Sequence, residues 1–458
     1  MRILIFSNLY KPTISGVVTS ITLFRRGLVD AGHDVHIIAP EYEDYQDEEP
    51  YVFRCPSLDL PERVDVSLPI PLKTTMSPTV RGIKPSLIHS QHPFVMGGLA
   101  TAFARDLNLP LVFTLHSPYD VYARQFVPIV PKLAGVLTEE IVKRYLGKCT
   151  HIIVPAPRLR DFVVSEYKVD VPVSVVPTPV DLSMYRGLEP GRIRAELGLE
   201  GAELLLYVGR FSEEKNIEFL LRSFAQIVAQ RPQARLLLVG KGMYERSLRR
   251  LVDKLDLGER VIFDGPVAYD DIPHYAAAAD LFVFSSLVDT QGVVMIEAMA
   301  TGTPVVALKS PGSTDTLAEG GGVIVPAQED AFASTVLALL ADGPRRRAMG
   351  EQAVQAVQRY KISSVTARMI DVYEEAIAAG PRLTKKELKR LRDQKHTAEA
   401  WREVGNQIRS MGESLSAAFS TAWEGDGEDT QSRRLHDMRL GMEAIIEMID
   451  REIRTGIK

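Results

Sequence analysis

The chain of 458 residues has only two cysteines, Cys55 and Cys149, far apart and without metal-ligand spacing. That excludes a disulfide framework and a cysteine-based metal centre, and it points to two ordinary thiols in a reducing, cytoplasmic compartment. Long hydrophobic runs are also missing: nothing approaches the roughly 20 consecutive apolar residues of a membrane span. The apolar run at residues 3–6 is too short for a signal-peptide core, and no small-residue cleavage site follows it. The expectation is a soluble protein, or at most one attached to a membrane surface. Positive charge is not in excess either, since 54 Lys and Arg stand against 59 Asp and Glu, a net charge of -5. This argues against a nucleic-acid partner. No G-x-G-x-x-G opens the first helix, which disfavours a redox enzyme on a dinucleotide cofactor. No Asp-x-Asp occurs, so a metal clamp on phosphates is not indicated, and neither metal nor cofactor is expected.

What is present is alternation. Apolar, strand-like runs at residues 3–6, 35–39, 87–89, 111–115, 151–154 and 173–176 alternate with helical patterns at 17–31, 97–107 and 132–146. The alternation restarts after Asp181, with strands at 204–208, 235–239, 261–263, 281–284, 305–307 and 322–325 and helices at 217–229, 244–255, 272–278 and 331–340. Two such series predict an α/β protein of two Rossmann-like, doubly wound domains facing a cleft. We place them at residues 1–185 and 186–360, with a helix over 361–380 crossing back to the first. Residues 41–50 read as an exposed acidic loop, and 56–85 as a Pro-rich irregular stretch long enough to carry function. From residue 381 a charged linker leads to two heptad-like patterns separated by an acidic break. They predict a C-terminal helical hairpin for packing or oligomerisation, or else for membrane or regulatory docking.

Residues 280–307, DLFVFSSLVDTQGVVMIEAMATGTPVVA, form a strand, a polar turn, a short helix and a second strand. Two acids, Asp289 and Glu297, sit at its carboxyl edge, where open α/β sheets bind ligands. A carboxylate buried there needs a polar partner, and sugar or ribose hydroxyls would serve. At the first turn of the second series, Gly209, Arg210, Lys215 and Asn216 set a residue without a side chain beside two cations at a strand-to-helix junction. That suits phosphates, or else is an ordinary charged turn. Gly240 in the next turn repeats the theme and could flank a base or ribose. Ser15-Gly16-Val17 precedes the first helix and either offers backbone donors to phosphate or serves backbone geometry alone. His116 either hydrogen-bonds a sugar hydroxyl or is satisfied within the fold, and His92 is open in the same way.

In this order the pieces resemble the retaining family-4 glycosyltransferases of the GT-B fold, over about residues 1–380. Asp289 and Glu297 occupy the positions of that family's paired acids, E-x7-E, followed by an EAMA-x-G-x-PVVA run. Gly209-Arg210 with Lys215-Asn216 matches its GR-x-x-x-x-KN turn, and Val176-Pro177-Thr178-Pro179-Val180-Asp181 looks like its inter-domain segment. Ser15 to Ser20, His116-Ser117-Pro118-Tyr119 with Tyr122, and Asp289-Thr290-Gln291-Gly292 look most like bacterial diacylglycerol glucosyltransferases, then phosphatidylinositol mannosyltransferases. The resemblance implies transfer of a hexose from a nucleotide diphosphate sugar, UDP-glucose ahead of GDP-mannose, to a lipid acceptor at a membrane surface. It implies that Arg210 and Lys215 hold the pyrophosphate, His116 and Asp289 the sugar, and Glu297 the ribose. Gly16, Gly209, Gly240, Gln291, Gly292 and Val293 complete the implied donor site.

The chain departs from the family in three places. Asp289 stands where Glu is usual, one methylene shorter; Ser15-Gly16 replaces a frequent pair of glycines; and Pro179 stands where Gly is common. Residues 63–148 hold ten Lys or Arg against five Asp or Glu, which suits an anionic lipid surface or a solvated mixed one. A soluble or oligosaccharide acceptor, and a non-catalytic scaffold that binds sugar nucleotides, are the alternatives.

Overall fold

Continuous apolar runs such as Ile3-Leu4-Ile5-Phe6 and Leu281-Phe282-Val283-Phe284 become strands buried on both faces, as parallel sheets require. The computed structural model describes residues 1–59, 67–69, 73–119 and 131–382. Tyr122 and, after Arg382, the charged linker and helical hairpin expected over 381–458 lie outside the described residues. The first series runs β1 (Arg2–Phe6), α1 (Gly16–Asp30), β2 (Asp34–Pro40), β3 (Val52–Cys55), β4 (Ser57–Asp59), β5 (Ser67–Pro69), α2 (Lys73–Ile83), β6 (Leu87–Ser90), α3 (Met96–Leu107), β7 (Leu111–Thr114), α4 (Pro131–Leu146), β8 (His151–Val154), α5 (Pro157–Glu166) and β9 (Val173–Val175). The second runs α6 (Pro190–Glu196), β10 (Glu203–Val208), α7 (Ile217–Gln230), β11 (Ala234–Val239), α8 (Glu245–Lys254), β12 (Val261–Gly265), α9 (Ile272–Ala278), β13 (Leu281–Phe284), α10 (Val293–Ala300), β14 (Val305–Leu308), α11 (Pro311–Thr316), β15 (Gly322–Val325), α12 (Glu329–Ala341), α13 (Gly343–Ala356) and α14 (Ile362–Ala379).

The strands form two parallel sheets of order β3-β2-β1-β6-β7-β8-β9 and β12-β11-β10-β13-β14-β15, the Rossmann pattern twice over. In each, the order reverses beside the first strand, between β1 and β6 and between β10 and β13. The crevice outside the carboxyl ends of those strands is where such sheets take ligands. Apolar cores lie on both faces of both sheets.

Two readings of the sequence change here. Residues 56–85 are not simply irregular, because they contain the short antiparallel pair β4–β5 and helix α2, with Pro78 inside it. Its buried residues Met76, Val80 and Ile83 are spaced for one helical face, and the Pro density hid that pattern. Residues 41–50 are a loop, but not merely a solvated one. Glu49 accepts hydrogen bonds from Tyr10 and from Lys11 at 2.8 Å, and Asp47 is paired with Arg54. Arg54 also donates to the Lys11 carbonyl at 2.8 Å and lies 5.5 Å from the ring centres of Tyr42 and Tyr45. The acidic loop thus ties down the turn after β1 that leads to Gly16.

The chain crosses between the sheets twice, side by side. The outgoing segment pairs with the returning one through Val180, whose N–H donates to the Tyr360 carbonyl at 2.8 Å. Helix α14 then covers a face of the first sheet, with Val365, Met369, Val372, Tyr373 and Ala376 in its core. Its approach to α1 is close: a Cβ at Gly27 would lie 2.1 Å from Thr366 Oγ1 and 2.8 Å from Ile362 Cγ2. Among the described residues no helix is long and apolar enough to cross a membrane.

Gly27→Ala should therefore force α1 and α14 apart and cost about 1–3 kcal/mol of stability, the usual range for overpacking. A lowered thermal midpoint in differential scanning calorimetry checks this; an unchanged midpoint would show that the helices yield freely.

Candidate functional site

The two turns at the switch point of the second sheet are bonded to each other. Ser285 Oγ donates to the Lys215 carbonyl at 2.7 Å and Ser286 Oγ to the Glu214 carbonyl at 3.3 Å. This brings Lys215 Nζ to 2.8 Å from both oxygens of Asp289, a pair that is largely shielded from solvent. Arg210, in the same turn, is mostly exposed and is held 3.3 Å from Glu214, whose carboxylate is buried and also accepts from Ser212 Oγ at 2.7 Å. No motif in the sequence marks Glu214 as a tether, which only the folded turn reveals.

Gly209 adopts φ +156° and Gly240 φ +138°, backbone conformations that favour glycine. A Cβ on Gly209 would meet the Tyr207 hydroxyl at 2.8 Å, and one on Gly240 would lie 2.0 Å from the Gly209 carbonyl oxygen. Gly240 is thus pressed against the neighbouring turn and supports Gly209. Gly16 differs, because a Cβ there would meet no protein atom within 4 Å. It opens α1 behind the N-cap Ser15, whose hydroxyl accepts from the Val18 N–H at 3.2 Å. The start of α1 is therefore open to close approach by an anion.

After Asp289 the chain turns into α10. Gly292 is left-handed at φ +66°, and Val293 is the first helical residue. Gln291 is buried, and both ends of its side chain are engaged by Thr178. Its Oε1 accepts the Thr178 N–H at 2.8 Å, and its Nε2 donates to the Thr178 carbonyl at 3.1 Å. Gln291 therefore fastens this turn to the crossing segment. Thr290 reaches the other way, its hydroxyl donating to the His116 carbonyl of the first sheet at 2.8 Å.

His116 follows β7 and is half-buried, with Nε2 2.8 Å from Gln91 Oε1. Burial lowers its pKa to about 4, so the ring is neutral at pH 7. His92 is buried, its Nδ1 accepts the Asn8 N–H at 3.1 Å, and burial likewise lowers its pKa, to about 3. Glu297 lies one turn into α10 with 3% of its surface exposed. Burial raises its carboxyl to about 7, and the Tyr269 phenol beside it pulls the other way. Tyr185 also stands close enough for the Glu297 charge to raise its hydroxyl further. These two tyrosines lie outside the quoted motifs and were not foreseen.

The structure thus gathers Lys215, Asp289 and, through Thr290, His116; it sets Arg210 in the same turn and Gly292, Val293 and Glu297 along the start of α10. Gly16 lies at the carboxyl edge of the other sheet. Among the described residues no group of three or more His, Cys, Asp or Glu is placed to hold a metal ion.

Residues 14–184 match the glycosyltransferase family 4 model, and residues 191–356 the model for glycosyl transferases group 1. The chain is 30% identical over 323 residues to the alpha-monoglucosyldiacylglycerol synthase of Streptococcus pneumoniae, covering 68% of this chain and 72% of that one. Among solved structures it matches a sucrose-phosphate synthase from Thermosynechococcus elongatus, with TM-score 0.69 and 24% identity over 83% of this chain and all (100%) of the other. It also matches HepE of Anabaena, solved in complex with UDP and glucose, with TM-score 0.66 and 17% identity over 82% of this chain and 100% of the other. With both halves matched in order on a GT-B scaffold, the chain belongs to the family-4 glycosyltransferases and is a hexosyltransferase.

Proposed function

We propose that the protein moves glucose from UDP-glucose to diacylglycerol at the cytoplasmic face of a membrane, with retention of anomeric configuration. The observation that carries the acceptor is the likeness to the streptococcal glucosyldiacylglycerol synthase along 68% of the chain. The choice of UDP rests on the site's fit to a diphosphate and on the UDP held by the structurally similar HepE. In this reading residues 1–185 carry the acceptor, residues 186–360 bind the donor, and the helix that follows belongs with the first.

The roles follow from charge. As the sugar leaves, negative charge grows on the nucleotide's outer phosphate, and catalysis rests on cations and N–H groups already aimed there. Lys215 is fixed by Asp289 and carries three N–H donors, so one can reach phosphate while Asp289 keeps its hold. Arg210 is exposed and tethered loosely enough to swing onto the diphosphate. The start of α1 at Gly16 supplies N–H groups from the other sheet. Asp289, accepting only, retains lone pairs for a sugar hydroxyl, and Glu297 takes the ribose hydroxyls. The leaving phosphate accepts the acceptor's proton on the same face.

Transfer of labelled glucose from UDP-glucose into a chloroform-soluble product, in vesicles of anionic phospholipid with diacylglycerol, is the direct test. Activity confined to water-soluble acceptors, with no sedimentation on such vesicles, would refute the lipid reading. Lys215→Ala should lower kcat by about 100- to 1,000-fold, as loss of one preorganised donor to developing charge does. A change confined to KM would instead make Lys215 a binding group only.

Glu297 has a pH signature. Its folded-state value of about 7 lies above the ordinary 4.5, so between those values the native chain holds a proton that the unfolded chain has lost. Stability from this group therefore falls as pH rises through that window. Glu297→Gln should match the wild type in thermal midpoint near the acid end and exceed it at about pH 8. UDP binding, by presenting hydroxyl donors to the carboxylate, should release protons near neutrality, read by calorimetry in buffers of different ionisation enthalpy. A pH-independent offset between variant and wild type would refute the assignment.

A further inference from the structure

We infer that a buried chain of hydrogen bonds from Tyr373 on α14, through His89 and Gln91, fixes His116 as the Nε2–H tautomer, so that its Nδ1 can only accept a hydrogen bond. Residue 373 is 284 positions from His89, and its hydroxyl lies 2.7 Å from His89 Nδ1. The other ring nitrogen, Nε2, is 2.8 Å from Thr114 Oγ1. Both nitrogens of His89 thus have hydroxyl partners, and burial lowers its pKa to about 3, which keeps the ring neutral.

Gln91 Nε2 lies 3.2 Å from one of those nitrogens and 3.4 Å from the other. An atom so nearly equidistant from both cannot sit in the ring plane without colliding with the carbon between them, so it lies over the ring face. The π cloud there is negative and favours an amide N–H over a carbonyl oxygen. That sets the orientation of the carboxamide and turns Oε1 to His116 Nε2, 2.8 Å away. A carbonyl oxygen only accepts, so His116 Nε2 must carry the proton. Among the described residues no hydrogen bond to His116 Nδ1 is present.

This rests on the reading of His116 as a sugar contact only for its consequence: a hydroxyl of the transferred hexose donates to Nδ1, and the ring serves neither as acid nor as base. His89, Gln91 and Tyr373 are positioning residues. They act on the sugar only through the tautomer of His116.

The tautomer can be read without any substrate. In full-length protein with 15N-labelled histidine, long-range 1H–15N correlation of the imidazoles, with His116 assigned by His116→Asn, should show a protonated Nε2 and an unprotonated Nδ1. Gln91→Leu should average the two nitrogens, and Gln91→Glu, which keeps an acceptor oxygen at the same place, should restore a protonated Nε2. Tyr373→Phe should shift the His116 signals although it touches neither His116 nor Gln91. Gln91→Leu should also raise the KM for the donor roughly ten-fold, the worth of one neutral hydrogen bond, with kcat less affected. A protonated Nδ1 in the wild type, or His116 signals indifferent to Gln91→Leu, would overturn the inference. Both readouts stand even if diacylglycerol proves not to be the acceptor.

Discussion

Lys215 and Asp289 come from turns 74 residues apart, and their ion pair holds the two turns at the reversal point of the second sheet in one geometry. The pair is mostly shielded from water, so its attraction is screened less than that of a surface bridge, and removing either partner would strand a charge. The neighbouring features align with it: Ser285 and Ser286 clamp the turn backbones, Glu214 tethers Arg210, and Gly240 presses on Gly209. Under the proposed function, a diphosphate arriving there would meet cations already in place, so little reorganisation would be left for the reaction itself.

The fold was largely legible because its signal is local. Parallel strands buried on both faces must be continuous apolar runs, and β1, β10, β13 and β14 are largely such runs. Helix α2 was missed because three Pro-flanked apolar residues, Met76, Val80 and Ile83, gave too short a pattern to stand out. Helix α5 opens with Pro157 and buries only Leu159 and Val163, so its sequence advertises a turn as readily as a helix.

The site was legible only as residue types. Glycine, lysine and acid at strand ends point to phosphate and hydroxyl ligands wherever they occur, and that logic singles out Lys215, Asp289 and Glu297 as candidates. It is silent where the partner is remote in sequence. Thr178, 113 residues away, engages both ends of the Gln291 amide, a pairing that no local pattern announces. Polar pairing across domains leaves no periodicity along the chain, since it obeys only the rule that buried donors and acceptors find partners.

The two acids of the central unit show what such pairing decides. Asp289 is given a cation, and its carboxylate is thereby held in place before any ligand arrives. Glu297 is given burial and tyrosines but no cation, and its carboxyl stands near 7, with its proton only loosely held at neutral pH. Hydroxyl donors from a ligand would favour its charged form, whereas phosphate would oppose it. A carboxyl group at two places in one strand–turn–helix unit is thus given different neighbours, a cation at Asp289 and burial beside tyrosines at Glu297. A nucleotide sugar carries both phosphate and hydroxyl groups on one short molecule, and under the proposed function both acids would serve it from one rigid turn and helix rather than from separate loops.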